Sequence, residues 1–336
     1  MNIPLEGNPR VAAGQATEQG HRSRRPSRRR VWECGLSLVT HRSGDGAFTR
    51  VDLLAVIFVV FVLFLVLLPA LAKPGINSKS IQCLYNHHQL CNAWRMYADD
   101  SSDRITFAST GASTGRNGSS TSTAEVSLPP SDPNYWAWSG AHLDFAGGAV
   151  NRADWDPRVD MMLRPLWSYV QTVSVYKCPS DQSVCPNATG DLVPRLLSVS
   201  LNLYLGGFAA AGTGGGNDGG WSFADAYRIY SKISDLGTFS PAKAFVFTDH
   251  RPDNINWGDF FTDMTGNTPA NSAALNFLDW PGFYHDGGAA LSFADGHTEL
   301  HRWIDPRTTP AVIPGIGTSP GNPDVAWLQA HSTRLK

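Results

Sequence analysis

The sequence predicts an α+β fold: a long N-terminal helix, transmembrane in its first part and a stalk in its second, packed on a mainly antiparallel β-sheet head with long loops. Three observations predict it. Leu53 to Ala72 reads LLAVIFVVFVLFLVLLPALA, with no charged residue. The segment after it has helical periodicity, and the remainder consists of short β-like runs punctuated by Gly, Pro and Asp.

Composition sets the outer bounds. The 336 residues suit one head behind a short anchor, and 42% hydrophobic against 17% charged residues excludes a disordered chain. With 32 Gly, 22 Pro and 11 Trp, the head reads as loop-rich and β-containing. The formal charge of −2 is unevenly spread. Residues 1–47 hold eight Arg against four acids, which leaves 19 basic and 25 acidic residues, or −6, for the rest. A body of that sign carries no nucleic-acid footprint.

Residues 1–47 form a basic leader, with HRSRRPSRRR and Arg42 ahead of the apolar run. Its length leaves the start of translation open between Met1 and a later residue. An apolar segment of roughly 20 residues matches the roughly 30 Å hydrocarbon core, so residues 48–72 are expected to cross a membrane. Basic residues before the run and Asp99, Asp100 and Asp103 after it place the leader in the cytoplasm and the head outside. An alternative is a secretory signal ending at Ala70-Leu71-Ala72, although its apolar core is longer than such signals carry. Asp52, at the edge of the run, needs a partner if it enters lipid.

GAFTRVDLLAVIFVVFVLFLVLLPALA resembles the prepilin cleavage and methylation motif, in which Gly and Phe-Thr-Leu-Ile-Glu precede a long apolar helix. Arg50 and Asp52 stand where that motif has Leu and Glu. The resemblance implies processing by a prepilin peptidase at Gly46, Ala47 or Phe48, with scission after either Gly46 or Ala47. It implies that Asp52, fifth from Phe48, pairs with the N-terminal amine of a neighbouring subunit during assembly. Pro69 matches a proline common in pilin helices, where it removes a hydrogen bond and bends the helix. The implied fold is pilin-like.

Residues 73–104 are expected to continue as an amphipathic stalk, with Ile81, Leu84, Leu90, Trp94 and Tyr97 on its apolar side. His87 and His88 point about 100° apart on such a helix and make a poor joint site. Cys83 and Cys91 would lie roughly 12 Å apart, too far for a disulfide. Cys178 and Cys185, in CPSDQSVC, are close enough to pair in one loop, or stay as two buried thiols; their spacing fits neither a CxxC nor a zinc-ribbon pattern.

The head is expected over 105–305, with a C-terminal tail over 306–336. Residues 108–124 and 206–220, small and polar or glycine-rich, read as insertion loops. Strand-like runs lie at Ser198–Leu205, Ala244–Thr248, Ala289–Ala294 and His297–Trp303, the last two joined by a turn at Asp295-Gly296.

YHDGGAALSFADGHTELHRW, with His285, Asp295 and Gly296, resembles the H-X9-DG C-terminal motif of prepilin-like proteins abundant in Planctomycetes and Verrucomicrobia. QCLYNHHQLCNAWRMYADD, YKCPSD, SVSLNLYLGG and PAKAFVFTDHRPDNIN resemble the intervening stretches, so the likeness covers most of residues 46–305. It implies a pseudopilin-like structural subunit of a type II secretion or type IV pilus-like assembly, methylated at its new N-terminus. Such a subunit is single-pass in the bacterial inner membrane, its head periplasmic or extracellular, and it contacts other pilin-like subunits through the N-terminal helix.

No GxSxG, Walker or GxGxxG context or ordered triad supports an enzyme. No cofactor is expected. If a metal is bound, the resemblance favours calcium, with Asp249, His285 and Asp295 as ligand types, although no D-x-[DN]-x-[DN]-G loop is present. The plainer reading makes Asp295 a turn former, ties His285 to nearby backbone and ends a strand with Asp249 beside Arg251. A different class of function is an exported carbohydrate- or ligand-binding head, using tryptophans among Trp136, Trp138, Trp155, Trp221 and Trp257 as stacking surfaces.

Overall fold

The computed structural model describes residues 49–71, 78–110, 133–140, 143, 151–209, 226–267, 270–312 and 317–336, without the side chains of 66–71, 133 and 134. Its helices are α1 (Arg50–Leu71), α2 (Ser78–Asp100), α3 (Trp167–Val170) and α4 (Pro323–Ser332). Its strands are β1 (Val184–Pro186), β2 (Leu192–Pro194), β3 (Val199–Asn202), β4 (Phe245–Asp249), β5 (Asp259–Phe260), β6 (Asn276–Phe277), β7 (Gly288–Phe293), β8 (Thr298–Arg302) and β9 (Gly317–Thr318). The chain divides into two units, residues 1–71 and 72–336.

The first unit corrects an expectation. Among the described residues no helix is long and apolar enough to cross a membrane. The transmembrane stalk therefore does not stand as the fold, and α2 belongs to the other unit. The start of α1 is fixed locally: Thr49 and Asp52 form a capping box, in which the Thr49 amide and hydroxyl donate to Asp52 Oδ2 at 2.9 and 2.8 Å and the Asp52 amide donates to Thr49 Oγ1 at 3.2 Å. Val51, Leu54, Phe58, Phe61 and Phe64 are all exposed.

In the second unit a five-stranded sheet has the order β5-β3-β4-β7-β8. It is mixed: β5 runs parallel to β3, and the other pairings are antiparallel. The four long strand-like runs of the sequence become β3, β4, β7 and β8. β5 is a two-residue edge strand with no alternation to reveal it.

Strand β7 shows how the layers form. Ala289, Leu291 and Phe293 point to one side, into a core with Phe245, Trp303 and, from α4, Val325 and Leu328. Ala290 packs with Cys83 of α2 on the other side, where small residues let the helix approach closely. The predicted tail is thus part of the head. Asn322 caps α4 by accepting from the Asp324 and Val325 amides, Pro323 occupies its first turn, and Asn202 Nδ2 donates to the Ser332 carbonyl at 3.0 Å.

The buried stripe of α2 differs from the one expected. Ser80, Cys83, Asn86, His87, Leu90, Cys91, Trp94, Tyr97 and Ala98 face inward, whereas Ile81 is exposed and Leu84 only half-buried. In its first half the inward positions carry Cys83 and His87, which find polar partners in Asp249 of the sheet. The β7–β8 hairpin turns through Asp295-Gly296 as expected, but only Gly296 has positive φ, at 101°.

Candidate functional site: a buried Cys, His and Asp cluster

Four segments distant in sequence meet beneath the first half of α2. Strand alternation places Asp249, at the end of β4, on the side where α2 lies, two residues after Phe247. Cys83 and His87, four apart on α2, lie one above the other and both reach Asp249. The thiol donates to Oδ1 and Oδ2 at 3.4 and 3.6 Å, and His87 Nε2 lies 3.1 Å from Oδ1. His285, in the turn before β7, puts Nε2 3.2 Å from Asp249 Oδ2 and 3.3 Å from Cys178 Sγ. The loop that carries Cys178 is held when Ser198 Oγ accepts the Cys178 amide at 2.9 Å.

Cys83, Cys178, Asp249 and His285 are all buried, and their ligand-type atoms lie within 4.8 Å of one another. Around them sits a second layer. Ser80 Oγ is 3.0 Å from His285 Nδ1, the Ala290 amide donates to Asp249 Oδ2 at 2.8 Å, and the Ser180 amide donates to Cys178 Sγ at 3.4 Å. An ionised carboxylate only accepts, so the His87 nitrogen facing it carries a proton.

The electrostatics follow from burial and neighbours. Burial alone pushes the Asp249 carboxyl up, but hydrogen bonds from His285 and His87 and their charges outweigh it and hold the group below the usual carboxylate range. Burial pulls His285 down, yet bonding to Asp249 and Cys178 lifts it to about 10. The Cys83 thiol is pushed well up by its bond to Cys178, by burial and by the Asp249 charge. Cys178 is lowered, chiefly by its bond with Cys83, against burial.

This arrangement is not a nucleophilic triad. A triad acid holds the histidine nitrogen opposite the nucleophile. Here one nitrogen, Nε2, meets both Cys178 and Asp249, while Nδ1 meets Ser80. Cys178 is 1% exposed, so its sulfur offers no face to a substrate. What the cluster can do is hold a positive charge.

The other expected positions fall differently. Of the three metal candidates, Asp249 and His285 come together and Asp295 does not. Asp295 Oδ1 instead accepts from the His297 amide at 3.1 Å and lies 2.6 Å from His297 Nδ1 on the half-exposed turn. Calcium prefers oxygen donors, which two thiols do not provide. Cys178 and Cys185 are both buried and form no disulfide with each other. Asp249 ends its strand, but Arg251 pairs with Asp253, at 2.8 Å through both guanidinium contacts. His88 Nδ1 lies 3.2 Å from the Gly296 carbonyl. Gly46, Ala47 and Phe48 lie outside the described residues, as do residues 111–132 and 210–225 and hence most of both predicted insertion loops. Pro69 lies in α1, its side chain outside the description.

No aromatic binding platform emerges among the described tryptophans: Trp138 is buried, Trp155 and Trp257 are half-buried, and Trp136 is 37% exposed. The cavity beside Trp138, Tyr176 and Leu197 measures about 20 Å³, room for one water rather than a sugar. Trp221 is outside the description.

Sequence reasoning missed Cys83, Cys178 and His87 as partners of Asp249. The available signal was the i, i+4 pair Cys83 and His87, in helical register with Leu90 and Trp94. The chain matches no protein-family model, no curated protein and no solved structure.

Proposed function

We propose that this chain is a pseudopilin-like structural subunit of a bacterial type II secretion or type IV pilus-like assembly, anchored at the inner membrane with its head exported. The observation that carries this reading is the order of GAFTRVD and an apolar helix, α1, that begins at Arg50, three or four residues after the expected scission site. The exposed side chains of α1 need a partner surface, and the N-terminal helices of other pilin-like subunits supply one of matching chemistry. Asp52 is exposed in the first turn of α1, placed to accept a neighbour's terminal amine in addition to capping its own helix. A prepilin peptidase is the processing partner this reading requires. Function then lies in display and assembly rather than in catalysis.

The test is the mature N-terminus, read by mass spectrometry on protein purified from membranes. The expected chain begins at Ala47 or Phe48. One beginning at Lys73 identifies an ordinary secretory signal and overturns the reading.

A further inference from the structure

We propose that Cys83, Cys178, Asp249 and His285 form a structural zinc site that staples α2 and the CPSD loop to the end of β4 and the turn before β7. The first reason is geometric. A tetrahedral Zn²⁺ with bonds of about 2.3 Å to sulfur and about 2.0–2.1 Å to nitrogen or oxygen sets its ligand atoms about 3.6 Å apart for sulfur to nitrogen or oxygen, and about 3.3 Å apart for nitrogen to oxygen. The separations here are 3.4 and 3.6 Å from Cys83 Sγ to the Asp249 oxygens, 3.3 Å from Cys178 Sγ to His285 Nε2, and 3.2 Å from that nitrogen to Asp249 Oδ2. Three of the six edges of the tetrahedron thus have the required length, and the other three lie within 4.8 Å.

The second reason is the donor set. Two thiolates, an imidazole and a carboxylate suit Zn²⁺ and exclude calcium or magnesium as the natural occupant. Four protein ligands leave no open position, as in structural rather than catalytic sites. The third reason lies in the surrounding layer. When His285 Nε2 binds the metal, Nδ1–H donates to Ser80 Oγ, which fixes the ring. Asp249 Oδ1 accepts from His87 while Oδ2, held by the Ala290 amide, faces the metal. Two thiolates and one carboxylate exceed the metal charge by one, and the His87 N–H against Asp249 offsets part of that excess. On binding, each thiol loses its proton to solvent and no electrons move.

The experiment uses the full chain, purified in detergent without chelator under reducing conditions. Elemental analysis is expected to find about one zinc per chain, and replacement with Co²⁺ to give the visible d–d bands of a tetrahedral ion together with a thiolate charge-transfer band. Cys178→Ser and Asp249→Asn lose the metal, and Cys185→Ser, a buried thiol outside the cluster, keeps it. Ser80→Ala folds and binds zinc roughly 10- to 100-fold more weakly. A reduced, folded wild-type chain that holds no zinc and takes up no Co²⁺ overturns the proposal. So does a native chain in which Cys83 and Cys178 resist alkylation until reduced, because a disulfide between them consumes both sulfur ligands.

Discussion

Helix α2 meets the sheet with two unlike halves. Its second half buries Leu90, Trp94 and Tyr97 against Leu201, Val246 and Phe247, an apolar contact governed by area and close packing. Its first half buries Ser80, Cys83 and His87 against Asp249 and His285. One helix therefore joins the same sheet in two ways, one insensitive to solution conditions and one set by what charge the cluster holds. Buried position alone does not say which residues are core and which are chemistry.

The largest effect separates the halves. Trp94→Ala, at a fully buried indole, is expected to lower unfolding free energy by about 3–5 kcal/mol, with the same loss in the presence or absence of a chelator. Chelation of the wild-type head acts on the other half alone. If zinc is held at a hundredfold excess over its dissociation constant, its removal costs about 2.7 kcal/mol, visible as a lower urea midpoint that added zinc restores. Equal chelator sensitivity in a Cys178→Ser chain removes the distinction between the halves.

A second contrast sharpens the first. Asp249 and Asp259 are both buried carboxyls, yet they shift in opposite directions. Asp249 has two imidazoles and an amide around it, whereas burial raises Asp259, on the edge strand β5, to about 6, and Asp279 beside it is pushed well up by burial and by the Asp259 charge. Because the folded pKa of Asp259 exceeds its unfolded value, the folded state binds its proton more tightly. That contribution is complete below about pH 4 and is lost as pH rises through about 6. Asp259→Asn is thus expected to match wild type near pH 4 and to exceed it by on the order of 2 kcal/mol at pH 8 in urea unfolding. A constant difference across that range shows that Asp259 is ionised throughout.

Much of the head was legible from sequence because strands β3, β4, β7 and β8 are runs with clear punctuation. β5 was not, since two residues carry no period, and neither was α4, which lies beyond Pro306, Pro310 and Pro314 and reads as a tail. Of the cluster, Asp249 and His285 were visible as ligand types. Their assembly was not, because Cys83, Cys178, Asp249 and His285 come from four segments with no short spacing between them. The cysteine arithmetic failed for the same reason: it compared Cys178 with its neighbour in sequence, Cys185, and not with its neighbour in space, Cys83 of α2. Asp295 was drawn into the metal set by its place in a motif, whereas backbone geometry gives it a turn to shape.

That turn offers the smallest test, at a motif position outside both halves of α2's contact. Gly296 sits at φ 101°, where a side chain is strained, and a Cβ there would collide with Arg95 Nη1. Arg95 also donates to the Asp295 carbonyl at 2.6 Å, so its guanidinium must move to admit the methyl group. Gly296→Ala is expected to cost more than about 1 kcal/mol through backbone strain, measured by urea unfolding. Zinc content stays unchanged, because His285 lies at the opposite end of β7 and its Nε2 does not depend on the turn. Loss of metal in Gly296→Ala ties the hairpin end to the cluster, and the His and the Asp-Gly of the motif then act as one unit rather than as two independent devices.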